Sequence, residues 1–170
     1  MSEQKSHIDQ FCENSEANGV PVHRTDRGDV ANRLSELCEP ATVAVPLPWD
    51  DVTLPDEATV RPTPAELETA MTGVTPAGAV ADYGSLLIRS TADGAEPMSL
   101  FPERHVAVVD MSDVHPTMES ATAALGPACR DEGASAIVAT GPSATADMGE
   151  LVHGAHGPTD VEVILFEGEQ

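Results

Sequence analysis

The chain has 170 residues, of which 41% are hydrophobic and 3% aromatic, and its formal net charge is −21. That length suits one domain with its own core, since domains commonly have about 100–150 residues. The charge excludes nucleic acid as an expected partner, because phosphate contacts need clustered Lys and Arg, and no apolar run approaches the ~20 residues of a membrane span.

The first 60 residues predict two helices and two short strands. Residues 3–17 carry apolar side chains at helical spacing, and residues 26–37 do the same with Asp26 as a candidate cap. A buried strand is expected over residues 42–45 and a second strand over residues 58–61. Between them lies a proline-rich loop that holds the only tryptophan, Trp49.

A third helix is expected to begin after Thr63, with Pro64 at its first position. We expect this helix to run to about Thr72 and to end at Gly73. A fourth helix is expected over residues 116–125.

The second half of the chain contains four short apolar segments that predict strands. Strands that are apolar on both faces and alternate with helices are typical of a sheet covered by helices on both sides. The expected fold is therefore α/β, a three-layer Rossmann-like sheet in one domain spanning residues 1–170, with a helical segment over about residues 1–40. The four predicted strands cover residues 85–88, 105–110, 136–140 and 159–166.

The charge balance and the cysteines indicate the cellular setting. At 1 M salt the screening length between charges is roughly 3 Å, so a folded protein can tolerate this self-repulsion. We therefore expect a folded protein from a salt-loving cell. A disordered chain is the alternative interpretation of the high net charge. The polar residues 1–10 lack a signal-peptide core, which predicts a cytoplasmic protein. Cys12, Cys38 and Cys129 are isolated, and no C-x-x-C spacing for a zinc or iron–sulfur site occurs.

One candidate site follows the strand that begins at Ala136. Gly141 permits a sharp turn, Ser143 and Thr145 offer hydroxyl groups, and a following helical turn would offer free N–H groups. Together these groups can hold a phosphate or carboxylate, and Asp147 can orient a hydroxyl group or a water. A capped turn without a ligand is the structural alternative.

Two further turns carry chemistry-bearing side chains. His153 and His156 form an H-x-x-H pair that could join an aspartate in a metal site, could supply a general acid, or could be ordinary loop histidines. Asp82 and Gly84 enter a predicted strand, where an ordinary turn is again the alternative. Ligands of open α/β sheets bind beyond the carboxyl ends of strands, so we expect the three turns to converge on one pocket at that edge.

In this order, these clusters resemble the LUD-domain family, specifically its lactate utilisation protein C group. The resemblance departs at Pro76-Ala77-Gly78, where relatives often carry Gly-x-Asp, and at Asp82-Tyr83-Gly84, where Glu-Thr-Gly is usual. No residue matches a CoA-transferase glutamate nucleophile. The matching segments are residues 73–75, 81–85 and 99–102 with His105, residues 141–143 with Thr145 and Asp147, and Gly154 with residues 156–158.

The resemblance implies a fold like that of the sugar-phosphate isomerase and CoA-transferase superfamily, and a role in oxidising L-lactate to pyruvate. It also implies iron–sulfur partner subunits and no cofactor or metal in this chain. A small anionic metabolite is the expected ligand. The expected catalytic residues are Asp147 and His156, and the expected ligand-binding residues are Asp82, Gly84, Gly141, Ser143, Thr145 and Gly157.

Two other functions remain open on the sequence. One is a stand-alone enzyme of isomerase or transferase type that acts on a phosphorylated or CoA-linked metabolite. The other is a small-molecule sensor or scaffold without catalysis. A homo-oligomer is compatible with each of them.

Overall fold

The computed structural model describes residues 2–147, 150–154 and 156–168, with side chains for residues 7–144, 154 and 156–168. Five helices and twelve strands lie in these ranges. The helices are α1 (Ser2–Ala17), α2 (Val30–Leu37), α3 (Pro64–Glu68), α4 (Ala95–Leu100) and α5 (Met118–Asp131). The strands are β1 (Val22–Asp26), β2 (Thr42–Ala44), β3 (Thr59–Val60), β4 (Thr72–Pro76), β5 (Gly78–Val80), β6 (Ser85–Arg89), β7 (Arg104–Asp110), β8 (Val114–His115), β9 (Ala136–Ala139), β10 (Ala144–Asp147), β11 (Glu150–His153) and β12 (Asp160–Glu167).

The centre of the molecule is a six-stranded parallel sheet in the order β1-β12-β7-β4-β2-β3. Its middle strands are buried on both faces, as the apolar run from Val106 to Val109 requires. The six-stranded sheet flanked by helices confirms the α/β prediction.

A second sheet, in the order β8-β5-β6-β9, covers part of one face of the first. Two of the strands that the sequence predicted, β6 and β9, belong to this second sheet and run antiparallel to each other. β10 and β11 form a separate antiparallel hairpin. We expected only helices on that face, but α1 and α4 cover it together with the second sheet.

Two apolar clusters occupy the two faces of the parallel sheet. One joins α1 and α4 to the second sheet, with Phe11, Leu86 and Leu165 among its buried members. The other lies beneath α2, where Leu34 packs with Val106 and Phe166. Valine and alanine supply most of the buried volume, as expected for a chain that is poor in aromatic residues.

The prediction that a helix runs from Thr63 to Thr72 and ends at Gly73 is wrong. Thr63 does cap α3, and it forms a capping box with Glu66, but that helix ends at Glu68. Residues 72–76 instead form the central strand β4. The predicted Asp26 cap is also absent, since no side-chain capping bond forms there. In the part of the chain that the structure describes, no helix has the length and apolar character needed to span a membrane.

Candidate functional site

Ser143 lies where the turn after β9 meets the turn before β12. Its backbone N–H donates to the Pro158 carbonyl oxygen (2.8 Å), and its own carbonyl oxygen accepts from Gly154 (2.9 Å). The Ser143 hydroxyl oxygen accepts a hydrogen bond from the backbone N–H of His156 (3.3 Å). Gly157 lies directly against the Ser143 side chain. These contacts bring the turn at residues 141–143 and the turn at residues 156–158 together.

The turn at residues 82–84 is held by amide side chains at the carboxyl end of α1. Asn14 Nδ2 donates to the carbonyl oxygens of Ala81 (2.8 Å) and Asp82 (3.2 Å), and Asn18 Nδ2 donates to that of Tyr83 (2.8 Å). Because side-chain amides here replace water as backbone partners, the turn is fixed against the helix.

Gly84 is required by this contact. Its φ of +61° lies in the left-handed region, and a Cβ at this position would overlap the backbone nitrogen of Ser15. Next to it, the hydroxyl groups of Ser85 and Thr140 lie 2.7 Å apart and join β6 to the end of β9.

Asn18 connects the third turn to the other two. Its backbone carbonyl oxygen faces Gly141, where an added Cβ would approach it to 2.9 Å, while its side chain holds Tyr83. The three turns therefore adjoin one another through Asn18 and Ser143. We refer to them as the amino-edge turn cluster, defined by Asp82, Gly84, Gly141, Ser143, His156 and Gly157.

The cluster lies at the edge of the parallel sheet where its strands begin, which corrects the expectation of a carboxyl-edge pocket. Pro158 comes just before β12, and Thr159 donates to the Glu103 carbonyl oxygen just before β7. The reason is topological. β6 and β9 are not strands of the parallel sheet, so the loop that follows β9 is free to turn toward the opposite edge.

The side chains of Thr145, Asp147 and His153 lie outside the described part of the chain. Their backbones belong to the hairpin, in which Thr145 pairs with Val152 and Asp147 with Glu150. Ser143 is thus followed by a strand rather than by the helical turn that the sequence predicted. Among the described side chains, no three His, Cys, Asp or Glu residues lie close enough together to hold a metal ion.

The described polar groups of the cluster mix donors with acceptors. The Ser143 hydroxyl accepts from His156, so its own proton can be donated to a ligand. The exposed imidazole of His156 is a further donor or acceptor. The Asp82 carboxylate accepts a hydrogen bond from Gln10 Nε2 (3.3 Å) and is also exposed.

His105, although it falls in the resembling segment, is a core residue. Its ring is buried, and Nε2 lies 2.9 Å from the Thr75 hydroxyl. Burial disfavours the charged ring and lowers its pKa from 6.5 to about 4. The imidazole is therefore neutral at pH 7.

Sequence reasoning missed the amide side chains that hold the Asp82 turn. Gln10, Asn14 and Asn18 recur every four residues, which places them along one stripe of a helix. This spacing is the one signal that the sequence offers, and it does not identify the segment to which the amides bind.

Comparison with known proteins agrees with this architecture. A family model described as the LUD domain matches residues 52–166. Proteins called lactate utilization protein C match from Bacillus licheniformis, with 31% identity over 124 residues (70% of this chain, 50% of that protein), and from Deinococcus radiodurans, with 34% over 130 residues (71% and 58%). The chain thus spans about half the length of these curated relatives. The crystal structure of a DUF162 family protein from Deinococcus radiodurans has the same fold, with a TM-score of 0.75 and 21% identity over 96% of this chain and 98% of that one.

Proposed function

Because this chain belongs to the LUD-domain family, we propose that it takes part in lactate utilisation as a subunit that binds a small organic anion. The pathway follows the names of the two relatives, which the chain matches over about half their length. The observation that supports a binding role is the amino-edge turn cluster, in which three turns from distant parts of the sequence adjoin one another through Ser143 and Asn18.

The mixture of groups in the cluster suits a 2-hydroxy acid better than a phosphate. A hydroxy acid presents a carboxylate, which needs a donor such as the hydroxyl group of Ser143, and a hydroxyl group, which can donate to a carboxylate such as Asp82. A fully ionised phosphate group would offer only acceptors to Asp82. In the proposal, Gly141 and Gly157 let Asn18 and Ser143 approach closely, and so hold together the turns that would surround the ligand.

Asp147 and His156 are the proposed proton-transfer groups. Oxidation of a 2-hydroxy acid to a 2-oxo acid releases two electrons and two protons, and the hydroxyl proton needs a base within hydrogen-bond reach. The isolated cysteines give this chain no iron–sulfur spacing. We therefore assign the electrons to iron–sulfur partner subunits and the binding of the acid to this chain.

Growth on L-lactate tests the pathway. We expect a strain that lacks the gene to lose growth on L-lactate but not on glucose, and wild-type protein to restore it. Ser143→Ala is expected to restore growth poorly, whereas Ser35→Ala, which changes an exposed serine on α2, is expected to restore it fully. Undiminished growth of the deletion strain on L-lactate would contradict the proposed role.

Affinity purification of the full chain in molar salt tests the proposed partners. The expected result is co-purification of proteins that contain iron and acid-labile sulfide. Purified chain that turns over phosphorylated or CoA-linked metabolites without any partner would support the stand-alone enzyme instead.

A further inference from the structure

A cavity of about 490 Å³ lies at the opposite edge of the parallel sheet from the amino-edge turn cluster. Its volume falls within the range of about 300–1,000 Å³ that is typical of small-molecule sites. Its lining comes from the loop after β2, the end of β4, the second sheet and α5. We call it the carboxyl-edge cavity, and its lining includes Trp49, Pro76, Leu87, Arg89, His115 and Ala124.

The strand order places this cavity where open α/β sheets bind ligands. From β2 the chain proceeds outward to β3, whereas from β4 it proceeds to β7 and β12 in the other direction. The sheet order therefore reverses between the neighbouring strands β2 and β4, and crevices beyond the carboxyl ends of strands at such a point are the usual ligand sites. Trp49 follows β2 and Pro76 ends β4, so the cavity lies at this reversal.

One wall of the cavity is flat, apolar and rigid. Trp49 is the only tryptophan of the chain, and its ring packs edge-to-face on the buried Phe166 at a centroid distance of 4.9 Å. A ring fixed in this way presents contact area to a ligand with little loss of side-chain freedom. Leu87 and Ala121 add apolar surface to the same cavity.

The polar part of the cavity contains a cation that is only weakly paired. Arg89 lines the cavity, and its guanidinium lies 3.4 Å from the Glu132 carboxylate, with both side chains at least half exposed. Exposed pairs of this kind contribute little free energy, so the guanidinium remains able to bind a carboxylate through two parallel hydrogen bonds. His115 and Thr91 add hydrogen-bonding groups, and Asp113 is the acidic residue of the lining.

We propose that the carboxyl-edge cavity binds an organic acid with a flat apolar body, whose carboxylate pairs with Arg89 and whose body packs on Trp49. The Arg89 guanidinium supplies the positive charge that a carboxylate requires, and the indole wall suits a planar hydrocarbon part. This site is separate from the amino-edge turn cluster and does not depend on the function proposed for it.

Fluorine NMR with 4-fluorobenzoate as the probe tests the proposal on the full chain. Wild-type protein is expected to broaden the probe signal saturably and to change the emission of Trp49. Arg89→Gln is expected to weaken binding at least tenfold. Arg33→Gln, which removes a partly exposed arginine of α2 that pairs with Glu36, is expected to bind as wild type does. The neutral analogue 4-fluorobenzyl alcohol is expected to bind wild type and Arg89→Gln equally weakly.

Two alanine variants of α5 test the location of the site independently of charge. Ala124→Leu fills the cavity from α5 and is expected to abolish binding, whereas Ala123→Leu changes the adjacent exposed alanine, which does not line it, and is expected to leave binding intact. Absence of saturable binding to wild type, or equal binding to wild type and Arg89→Gln, would overturn the proposal.

Discussion

At the scale of single residues, His105 shows how the core controls a titratable group. Its ring is buried between neighbouring strands, with Thr75 as its hydrogen-bond partner, and burial lowers its pKa from 6.5 to about 4. Between these two pH values the unfolded chain binds more protons at this ring than the folded chain does. The stability that depends on this neutral ring is therefore fully present above pH 6.5. The free energy of unfolding decreases as the pH falls from 6.5 toward 4.

Replacing His105 is expected to remove this part of the pH dependence. For the wild type, the ring accounts for a loss of about 1 kcal/mol between pH 7 and pH 5.5, since one pKa unit corresponds to about 1.4 kcal/mol. Over the same pH interval, the free energy of unfolding of His105→Gln is expected to decrease by about 1 kcal/mol less than that of wild type. Urea unfolding at the two pH values measures both differences.

Thr75→Val is the matched control, because it removes the same hydrogen bond but keeps the buried imidazole. It is expected to lower stability and to retain the wild-type pH dependence. Identical pH dependence in wild type and His105→Gln would contradict the assignment of a buried, neutral ring.

The amide stripe of α1 gives a second prediction at this scale. Asn14→Ala leaves the carbonyl oxygens of Ala81 and Asp82 without their side-chain donor. Loss of partners for such groups costs about 1–3 kcal/mol, which urea unfolding should detect. Asn32→Ala on α2 is the control, because it makes the same Asn-to-Ala change in helix propensity but loses only a long hydrogen bond to Asp29. A similar decrease in the free energy of unfolding of both variants would argue against the docking role.

The stripe also shows what sequence alone allowed at the candidate site. Ser143, His156 and Gly157 could be selected because Gly, Ser and His in loops have recognisable chemistry. The holding residues Asn14 and Asn18 could not be selected in that way, because an amide on a helix surface has a visible role only when the segment that it binds is known.

At the scale of elements, β4 shows how packing can override local propensity. Gly73 follows a capping box and a run of good helix formers, a pattern that indicates the end of a helix. In the structure Gly73 lies within β4, where it faces the Met98 carbonyl oxygen of α4 and Pro102. The glycine allows a helix to approach a strand closely, and sequence pattern does not separate that role from a helix end.

Gly73→Ala is expected to force α4 away from β4. Its Cβ would overlap the Met98 backbone and crowd Pro102, and overpacking of this kind costs about 1–3 kcal/mol or more. We expect a loss of about 3 kcal/mol in urea unfolding. Gly28→Ala, where an added Cβ meets nothing within 4 Å, is expected to change stability by less than about 0.5 kcal/mol. Equal stability of the two variants would contradict the close packing of α4 on β4.

How well the other strands could be predicted depends on the strength of their hydrophobic pattern. Strands β7 and β12 are apolar on both faces, and both were predicted to within a residue or two at each end. Strands β5 and β8 are two or three residues long and carry no periodicity. Their pairing is decided by contacts with segments that are distant in the sequence, so the second sheet could not be predicted.

At the scale of the whole molecule, the dominant feature is a charge of −21. Among the described side chains, six arginines already pair with carboxylates, including two hydrogen bonds of 2.6 Å each from Arg27 to Asp51. With 29 acidic and 8 basic residues, the chain cannot supply a Lys or Arg for most of its carboxylates, and the excess carboxylates repel one another. Folding concentrates this repulsion, and salt relieves it.

The free energy of unfolding is therefore expected to rise as potassium chloride increases from about 0.05 M to about 1 M, where the screening length falls to roughly 3 Å. Denaturation by urea, which carries no charge, measures the change at each salt concentration. Sodium chloride is expected to act equally, because screening depends on ionic strength and not on the identity of the cation. Stability that is independent of salt over this range would contradict the prediction.

The proposed role in lactate utilisation requires the amino-edge turn cluster to be a ligand site rather than a set of packed turns. Calorimetric titration of the full chain with L-lactate and pyruvate in molar potassium chloride tests this most directly. We predict saturable binding that weakens at least tenfold in Ser143→Ala, since a hydrogen bond to a charged group contributes about 1.5–3 kcal/mol, and that is unchanged in Ser35→Ala. Equal binding by the two variants, or no binding by wild type, would contradict it.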